Sequence, residues 1–548
     1  MAEEGPVAVN ERRSTWLASL LVLGAVGWLF ATAPIGEFWW SDAPRHALNG
    51  AFLRDFARDL PLAHAEQYAI DYYVRYPALT ILFYPPLFPA VEAVVFALVG
   101  VSPFAAQLTV ALFYGAAGIG ALFLARRWLP TWSACAAALL FVAAPELAFW
   151  GRQVMLELPA CAFLLWCVHA LLQYCDTGRT RWLAAAALLF ELGLYTKLNV
   201  VFVAPVLVLA LVVRRGWREL AARRVLVAAG AVVVAAVPLM LLTWKFGQAN
   251  VQSVVGVKDA AASRATLEGW LWYLRRLPGQ VGWGPCVAAL AFLAASACWR
   301  GWRLPRGEQL VLLAWFLAGQ LFLGSIDLKE TRHGLVLLFP VALFAASLVA
   351  RTLPSRFASP LALAAAAAVF GVTLARHPAP YVRGYAEAAA YVAQHAPQES
   401  AVLFSGYRDG SFVFHVRSHA ERPDLAVVRA DKLLLRVAVR RSLGVEERAI
   451  TESQLKDQLR DLGVTYVVSQ PGFWEDLANQ RMLRHLLEGP DFELVLRIPV
   501  ESNQNHEDRE IRIYRNRNAV AAGPRNVELY LDMIGRRIEG NLDRGPAR

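Results

Sequence analysis

An array of apolar runs limits this chain more than any other feature. Runs long enough to cross a hydrocarbon layer of about 30 Å occupy residues 15–34, 104–125, 132–149, 158–175, 224–243, 282–299, 309–325, 334–350 and 358–375. Two shorter ones fill 182–196 and 200–213. With 57% hydrophobic residues, 18% charged and a mean hydropathy of +0.40 over 548 positions, the chain reads as a polytopic α-helical membrane protein. Ala31-Thr32-Ala33 looks like a signal-peptidase site, but the run before it is longer than a usual signal segment, so it reads as an anchor.

Arginine sets the orientation. Arg12/Arg13, Arg126/Arg127, Arg179/Arg181, Arg214/Arg215/Arg218/Arg223/Arg224, Arg300/Arg303/Arg306 and Arg351/Arg356 lie in short loops, and such loops stay cytoplasmic. All of them reach that side only if 85–100 does not cross and 182–196 and 200–213 form two short spans. Pro85-Pro86 at the start of the first of these stretches, and Glu92 inside it, suit a half-embedded helix. The expected topology is eleven spans in the cell's inner or plasma membrane, N-terminus cytoplasmic, C-terminus outside. The formal charge of +10 agrees: 25 Lys and Arg face 24 Asp and Glu from 376 onward, so the excess sits in the loops between spans and does not mark a nucleic-acid surface.

Three polar stretches then share the outer face. The first outer loop, 35–103, opens with Trp39-Trp40-Ser41-Asp42-Ala43-Pro44-Arg45-His46, which packs a carboxylate, a guanidinium and an imidazole into five positions. Asp42 reads either as the N-cap of an interfacial helix, with Pro44 in its first turn, or as a catalytic carboxylate. Glu157 begins a span whose first turn carries Pro159, a place where acidic residues also serve simply to offset the helix dipole. Lys197 stands between the two short spans; about fifteen residues rise only about 22 Å, so it sits in a depression opening outward. An ammonium there snorkels to the surface, lines a wet cavity or meets an anion. Asp327-Leu328-Lys329-Glu330-Thr331-Arg332-His333 joins the same face.

Residues 1–375 thus form a membrane domain. From 376 the pattern alternates helix and strand: helices at 383–395 and 452–461, strands at 401–404, 424–428, 464–469, 492–499 and 509–514, an outer α/β domain over 376–517 without a Gly-rich phosphate loop. Residues 518–548 read as a polar tail. All six cysteines lie in or at the ends of apolar runs, without zinc spacing, and read as small hydrophobes.

With these residues laid out, the chain resembles the membrane glycosyltransferases of the C-type fold, specifically the family of protein O-mannosyltransferases and lipid A aminoarabinose transferases. Ser41-Asp42-Ala43-Pro44-Arg45-His46-Ala47 is similar to the family's Asp-Glu-x-Arg-Tyr-Ala signature, and Tyr84-Pro85-Pro86-Leu87 to its Lys-Pro-Pro-Leu. Arg152 to Pro159 resembles the second-loop acidic segment, Leu194-Tyr195-Thr196-Lys197 the Thr-Lys-Gly stretch, and Arg332-His333-Gly334-Leu335 to Pro340 the Arg-Tyr-Leu-x-Pro-x-x-Pro segment. Ala43, Tyr84 and Leu198 depart from the pattern, at its second acid, its first lysine and its glycine.

The resemblance implies inverting transfer of a sugar from a polyprenyl-phosphate donor to a lipid, glycan or protein acceptor on the outer face. Asp42 would be the base, with Glu157 as the second catalytic acid residue orienting sugar or acceptor. Lys197, Arg332 and Arg45 would meet the donor phosphate, and His46, Tyr84 and His333 would contact substrate. No cofactor is implied: Ala43 removes the acid of a metal site in the first loop, and no histidine pair stands at i, i+4. A transporter or flippase, or a polymerase of lipid-linked glycans, is the alternative.

Overall fold

A computed structural model describes residues 6–34, 36, 38–247, 251, 254–255, 262–437, 441, 444–507, 509–519, 525–531 and 535–543. Each of the eleven expected apolar segments is helical, but they are not equal in length. Seven described helices are long and apolar enough to cross a membrane, and the bent pair Leu267–Val281 and Trp283–Cys298 makes an eighth when taken as one span. That pair turns by 117° at Gly282, whose φ of +90° is open to glycine and strained for other residues. The 132–149 run is broken: Pro145 cannot donate to the preceding turn, and the helix stops at Val142 and restarts as Pro145–Trp150. Leu87–Val99 is a helix of 13 residues, too short to span unaided.

The segment expected to form the first outer loop contains two α-helices, Ala43–Asp59 and Ala65–Arg75, before the Leu87–Val99 helix. The first lies directly on Leu87–Val99, and Gly50 makes that approach possible, since a Cβ there would come within 2.6 Å of the Cβ of Glu92.

The C-terminal domain, expected on the outer face and called the outer domain below, is built on a five-stranded sheet of strands β1 (Ala401–Ser405), β2 (Ala426–Arg429), β3 (Val464–Ser469), β4 (Phe492–Pro499) and β5 (Glu510–Asn516). Their order is β2-β1-β3-β5-β4, with β1 parallel to both neighbours and β5 antiparallel to β3 and β4. All five residues of β1 are buried, as befits a central parallel strand covered on both faces. The helix expected from 383 begins at Tyr385, because Val382-Arg383 pairs as a short strand with Glu501-Ser502 and Gly384 turns the chain at φ +117°.

The expected polar tail is not a tail. Asn526–Leu531 and Arg536–Asn541 form an antiparallel hairpin that buries Val527, Leu529 and Ile538, a period-two pattern hidden among charges. It lies against the Ala65–Arg75 helix, where the Asn541 amide donates to Asp71 at 3.0 Å and Gln67 donates to the Glu539 carbonyl at 3.3 Å.

The domains are also pinned by a buried ion pair. Arg417, on the outer-domain helix Asp409–Ser418, donates to the fully buried Asp55 carboxylate and, at 3.1 Å, to the Tyr72 hydroxyl. Arg417→Ala would leave one Asp55 oxygen without its cation while Arg54 still holds the other at 3.0 Å. The expected loss is about 3 kcal/mol, at the low end for a broken buried pair, read as a lowered melting temperature in detergent; an unchanged melting curve would show that the pair contributes nothing.

Candidate active site

Asp42 occupies the N-cap position of Ala43–Asp59, with Pro44 in the first turn, but its side chain caps nothing. The carboxylate instead accepts from Trp40 Nε1 at 3.2 Å and faces Arg332 Nη1 at 3.4 Å. Arg332 comes from the 3₁₀ segment Thr331–Leu337 that leads into Leu338–Thr352. Its guanidinium reaches three carboxylates: Asp42, Glu330, to which Nε donates, and Glu157, 3.6 Å from Nε. The rings of Trp40 and Trp150, themselves 5.1 Å apart, are centred 5.1 and 5.7 Å from its central carbon and form an aromatic corner beside it.

Glu157 opens the Glu157–Thr177 helix and accepts from Lys197 Nζ at 2.5 Å. Lys197 sits where it does because the chain leaves the Thr180–Leu194 helix, becomes extended at Lys197, and tightens into the 3₁₀ turn Leu198–Val203 before Ala204–Arg215. The Leu87 amide, just after Pro85-Pro86, donates to the Tyr195 carbonyl at 3.0 Å and ties the two segments together. Asp42, Arg332, Glu157 and Lys197 thus form an alternating row of charges drawn from four separate parts of the chain.

Other expected residues lie differently. Arg45 points its charge at the outer domain: one Nη donates to both oxygens of Asp409, at 2.8 Å each, and Arg429 approaches the same carboxylate at 2.5 Å. Arg45 is therefore already neutralised, which weakens its part as a phosphate ligand, although it still lines the cavity described below. His46 is fully buried, packs on the Tyr84 ring at 4.5 Å between centroids, and has no hydrogen-bond partner on either nitrogen among the described residues. His333 lies 3.9 Å from Glu330 through Nε2.

Glu330, Trp40, Trp150 and Asp409 complete the arrangement without having been assigned a role from sequence. Glu330 stands two residues before Arg332 in the same polar stretch, and that proximity was its available signal.

The electrostatics follow from this geometry. Burial alone would raise the Asp42 pKa, but Arg332 above all, with Arg45 and the Trp40 hydrogen bond, outweighs it and holds the carboxyl below its usual range. Burial pushes the His46 imidazole down to about 4, against the pull of Asp42 and Glu157, so it is neutral at pH 7. Among the described residues, no group of three or more His, Cys, Asp or Glu side chains is placed to hold a metal ion.

Asp42, Arg45, Tyr84, Glu330 and Arg332 line one side of a cavity of about 530 Å³ between the two domains. That volume lies within the range of small-molecule sites.

Residues 84–244 match the family model described as dolichyl-phosphate-mannose-protein mannosyltransferase. A comparison of the sequence with curated proteins finds no match. Among solved structures, ArnT from Cupriavidus metallidurans bound to undecaprenyl phosphate superposes with a TM-score of 0.58 at 16% identity, over 91% of this chain and 97% of that one. The chain has the C-type glycosyltransferase fold.

The mycobacterial arabinofuranosyltransferase AftD shares the C-type fold at a TM-score of 0.55 and 17% identity, over 94% of this chain and 41% of its own. The oligosaccharyltransferase of Archaeoglobus fulgidus does so at 0.53 and 13% identity, over 83% and 68%. In this chain's version of the C-type fold, the row from Asp42 to Lys197 lies where the start of the Ala43–Asp59 helix meets the starts of Glu157–Thr177 and of the 3₁₀ segments Leu198–Val203 and Thr331–Leu337.

Proposed function

We propose that this protein is a membrane glycosyltransferase that moves a sugar from a polyprenyl-phosphate donor to an acceptor on the outer face, with inversion. The observation that carries it is the charge row ending at an interdomain cavity: an ionised carboxylate, Asp42, beside a buried guanidinium and an ammonium one step further on. The undecaprenyl phosphate bound by the structurally similar ArnT supports a lipid-phosphate donor.

In a single displacement the acceptor oxygen attacks the anomeric carbon while its proton passes to Asp42, and the bond from that carbon to the phosphate oxygen breaks. The bonding electrons leave with the polyprenyl phosphate. Asp42 suits the proton step because it stays ionised and lines the cavity. Arg332 and Lys197 suit the leaving group, since charge builds on the phosphate oxygens as the bond breaks and fixed cations stabilise that state most. Glu157 holds both cations in place until the phosphate competes for them.

The test is a release assay in nanodiscs with a panel of polyprenyl-phosphate sugars, following free polyprenyl phosphate. Asp42-dependent release from one donor is the expected result; no release from any donor, with labelled lipid crossing a proteoliposome bilayer instead, would replace the transferase reading with a transporter. Lys197→Ala is expected to weaken donor binding about tenfold, the low end for one charge-assisted contact, because Glu157 already engages the ammonium. Donor affinity indifferent to this substitution would remove the role given to Lys197.

A further inference from the structure

A second set of charges lies at the far ends of the helices that carry the site. Asp176 stands one residue from the end of Glu157–Thr177, Arg214 one residue from the end of Ala204–Arg215, Glu308 at the start of Glu308–Gly324, and Arg127 in the turn after Pro103–Ala125. Arg127 meets Asp176 at 2.5 Å and Glu308 at 3.5 Å, while Arg214 meets Glu308 at 2.8 Å and donates to Asp176 as well. The four side chains close an alternating ring. Glu308 also accepts from the Trp128 indole. The side chains of Arg127, Arg214 and Glu308 are only 9%, 5% and 4% exposed, so these pairs are screened far less than surface pairs are.

Backbone geometry seats the same helix ends against one another. Gly178 closes Glu157–Thr177 at φ +66°, and Gly307 precedes Glu308–Gly324 at φ +71°, conformations that favour glycine. Both face the end of Ala204–Arg215. A Cβ on Gly307 would come within 2.4 Å of Val213, and one on Gly178 within 2.9 Å of the Arg215 guanidinium.

The opposite ends of these three helices hold the site. Glu157 opens the first, about 28 Å of helix away from Asp176. Lys197 precedes the 3₁₀ turn that runs directly into the second. Arg332 is tied to the third: the Lys329 ammonium donates to the Leu323 and Gly324 carbonyls at its end, at 2.9 Å each, and Trp315 within it donates to the Val336 carbonyl at 2.9 Å. Axial slip of any one helix therefore changes the spacing of Glu157, Lys197 and Arg332.

A donor phosphate that draws Lys197 and Arg332 away from Glu157 dissolves the pairs holding those ends in register. Resting on the transferase reading above, we infer that the far ring is the counter-anchor of the site: Arg127, Asp176, Arg214 and Glu308 are positioning residues that keep three helices at fixed heights while the donor is bound. They act only through the helices, which are rigid enough to carry coupling over this length. A displacement of about 1 Å among reacting groups costs about 100-fold in turnover.

The test uses the full chain in nanodiscs. Glu308→Gln and Asp176→Asn each remove one negative corner, Asp176→Glu keeps it, and Glu11→Gln is the control, since Glu11 pairs with Arg126 at 3.2 Å beside the ring without belonging to it. The two ring variants are expected to lower kcat about tenfold or more, with donor KM changed less than about threefold. Asp176→Glu should stay within about threefold of the parent, and Glu11→Gln should match it. Hydrogen exchange should rise in both ring variants at 198–203 and 331–337, at the other end of the helices, and rise further with undecaprenyl phosphate present. If Glu308→Gln fails to fold, Asp176→Asn, at the more exposed corner, decides alone. Parental turnover in the ring variants, or exchange raised only around 126–128, 176–178, 213–215 and 305–308, would overturn the assignment and leave the ring a local brace. An equal loss in Glu11→Gln would overturn it too, by tracing the effect to surface charge. A chain that released no polyprenyl phosphate from any donor, yet showed the raised exchange at 198–203 and 331–337 without added lipid, would cost the transferase reading and leave the counter-anchor standing.

Discussion

Asp42→Asn is expected to lower the rate of sugar transfer by about 10²–10⁴-fold, the usual contribution of a positioned general base, while changing donor affinity less than twofold. The substitution keeps the side chain's size and its acceptor for the Trp40 indole, so the helix start at Ala43 should be undisturbed. It removes the charge that receives the proton, which is also one of the three carboxylate charges around Arg332, while Glu157 and Glu330 stay beside the guanidinium. Since the carboxylate makes no cap bond, lost activity in a protein of unchanged melting temperature would separate catalysis from architecture. Full activity in Asp42→Asn would end its role as base and turn attention to Glu330, the other carboxylate on that side of the cavity.

Arg332→Ala should have the second-largest effect, and on two readouts at once. Losing a cation aimed at developing charge costs about 10²–10³ in turnover. The same change strips a shared partner from Asp42, Glu157 and Glu330, with an expected stability loss of about 3 kcal/mol.

The pH profile distinguishes the two. A base works only when ionised, so transfer is lost as pH falls through the pKa of Asp42, which Arg332 holds below the ordinary carboxylate value. In the parent protein the acid limb should therefore lie below the ordinary carboxylate range. Without Arg332, burial dominates and the limb should move to higher pH. A destabilised variant with unaltered acid limb and turnover would make Arg332 a structural residue only.

The parts of this arrangement that hydropathy and arginine placement could reach were readable before any coordinates. Asp42, Glu157, Lys197 and Arg332 could be put on one face because each follows or precedes an apolar run whose direction the positive loops dictate. Their meeting could not be read. Asp42 and Arg332 are 290 residues apart, and nothing local in a single sequence specifies such a partner.

The same limit hid Asp409, which takes up the charge of Arg45 from the outer domain. The break at Pro145 was visible as a proline but was overridden by the continuity of the apolar run around it. The 526–541 hairpin was missed because four of its twelve strand positions are charged, Glu528, Arg536, Arg537 and Glu539, and they mask the alternation of Val527, Leu529 and Ile538. Turns and strand ends in the outer domain came closest to expectation, since Thr451 with Gln454 forms a capping box that marks the helix at 452 unambiguously.

The hairpin has a consequence for how the protein is made. Asn541 donates to Asp71, on a helix made early in synthesis. The Ala65–Arg75 helix, and through Arg417 and Asp55 the helix that begins beside Asp42, must wait for partners that lie 470 and 362 residues further along the chain. A newly inserted first loop is thus a half-built object for most of the time of synthesis. The first-loop helices therefore reach their final packing only after Arg417 and Asn541 have been made.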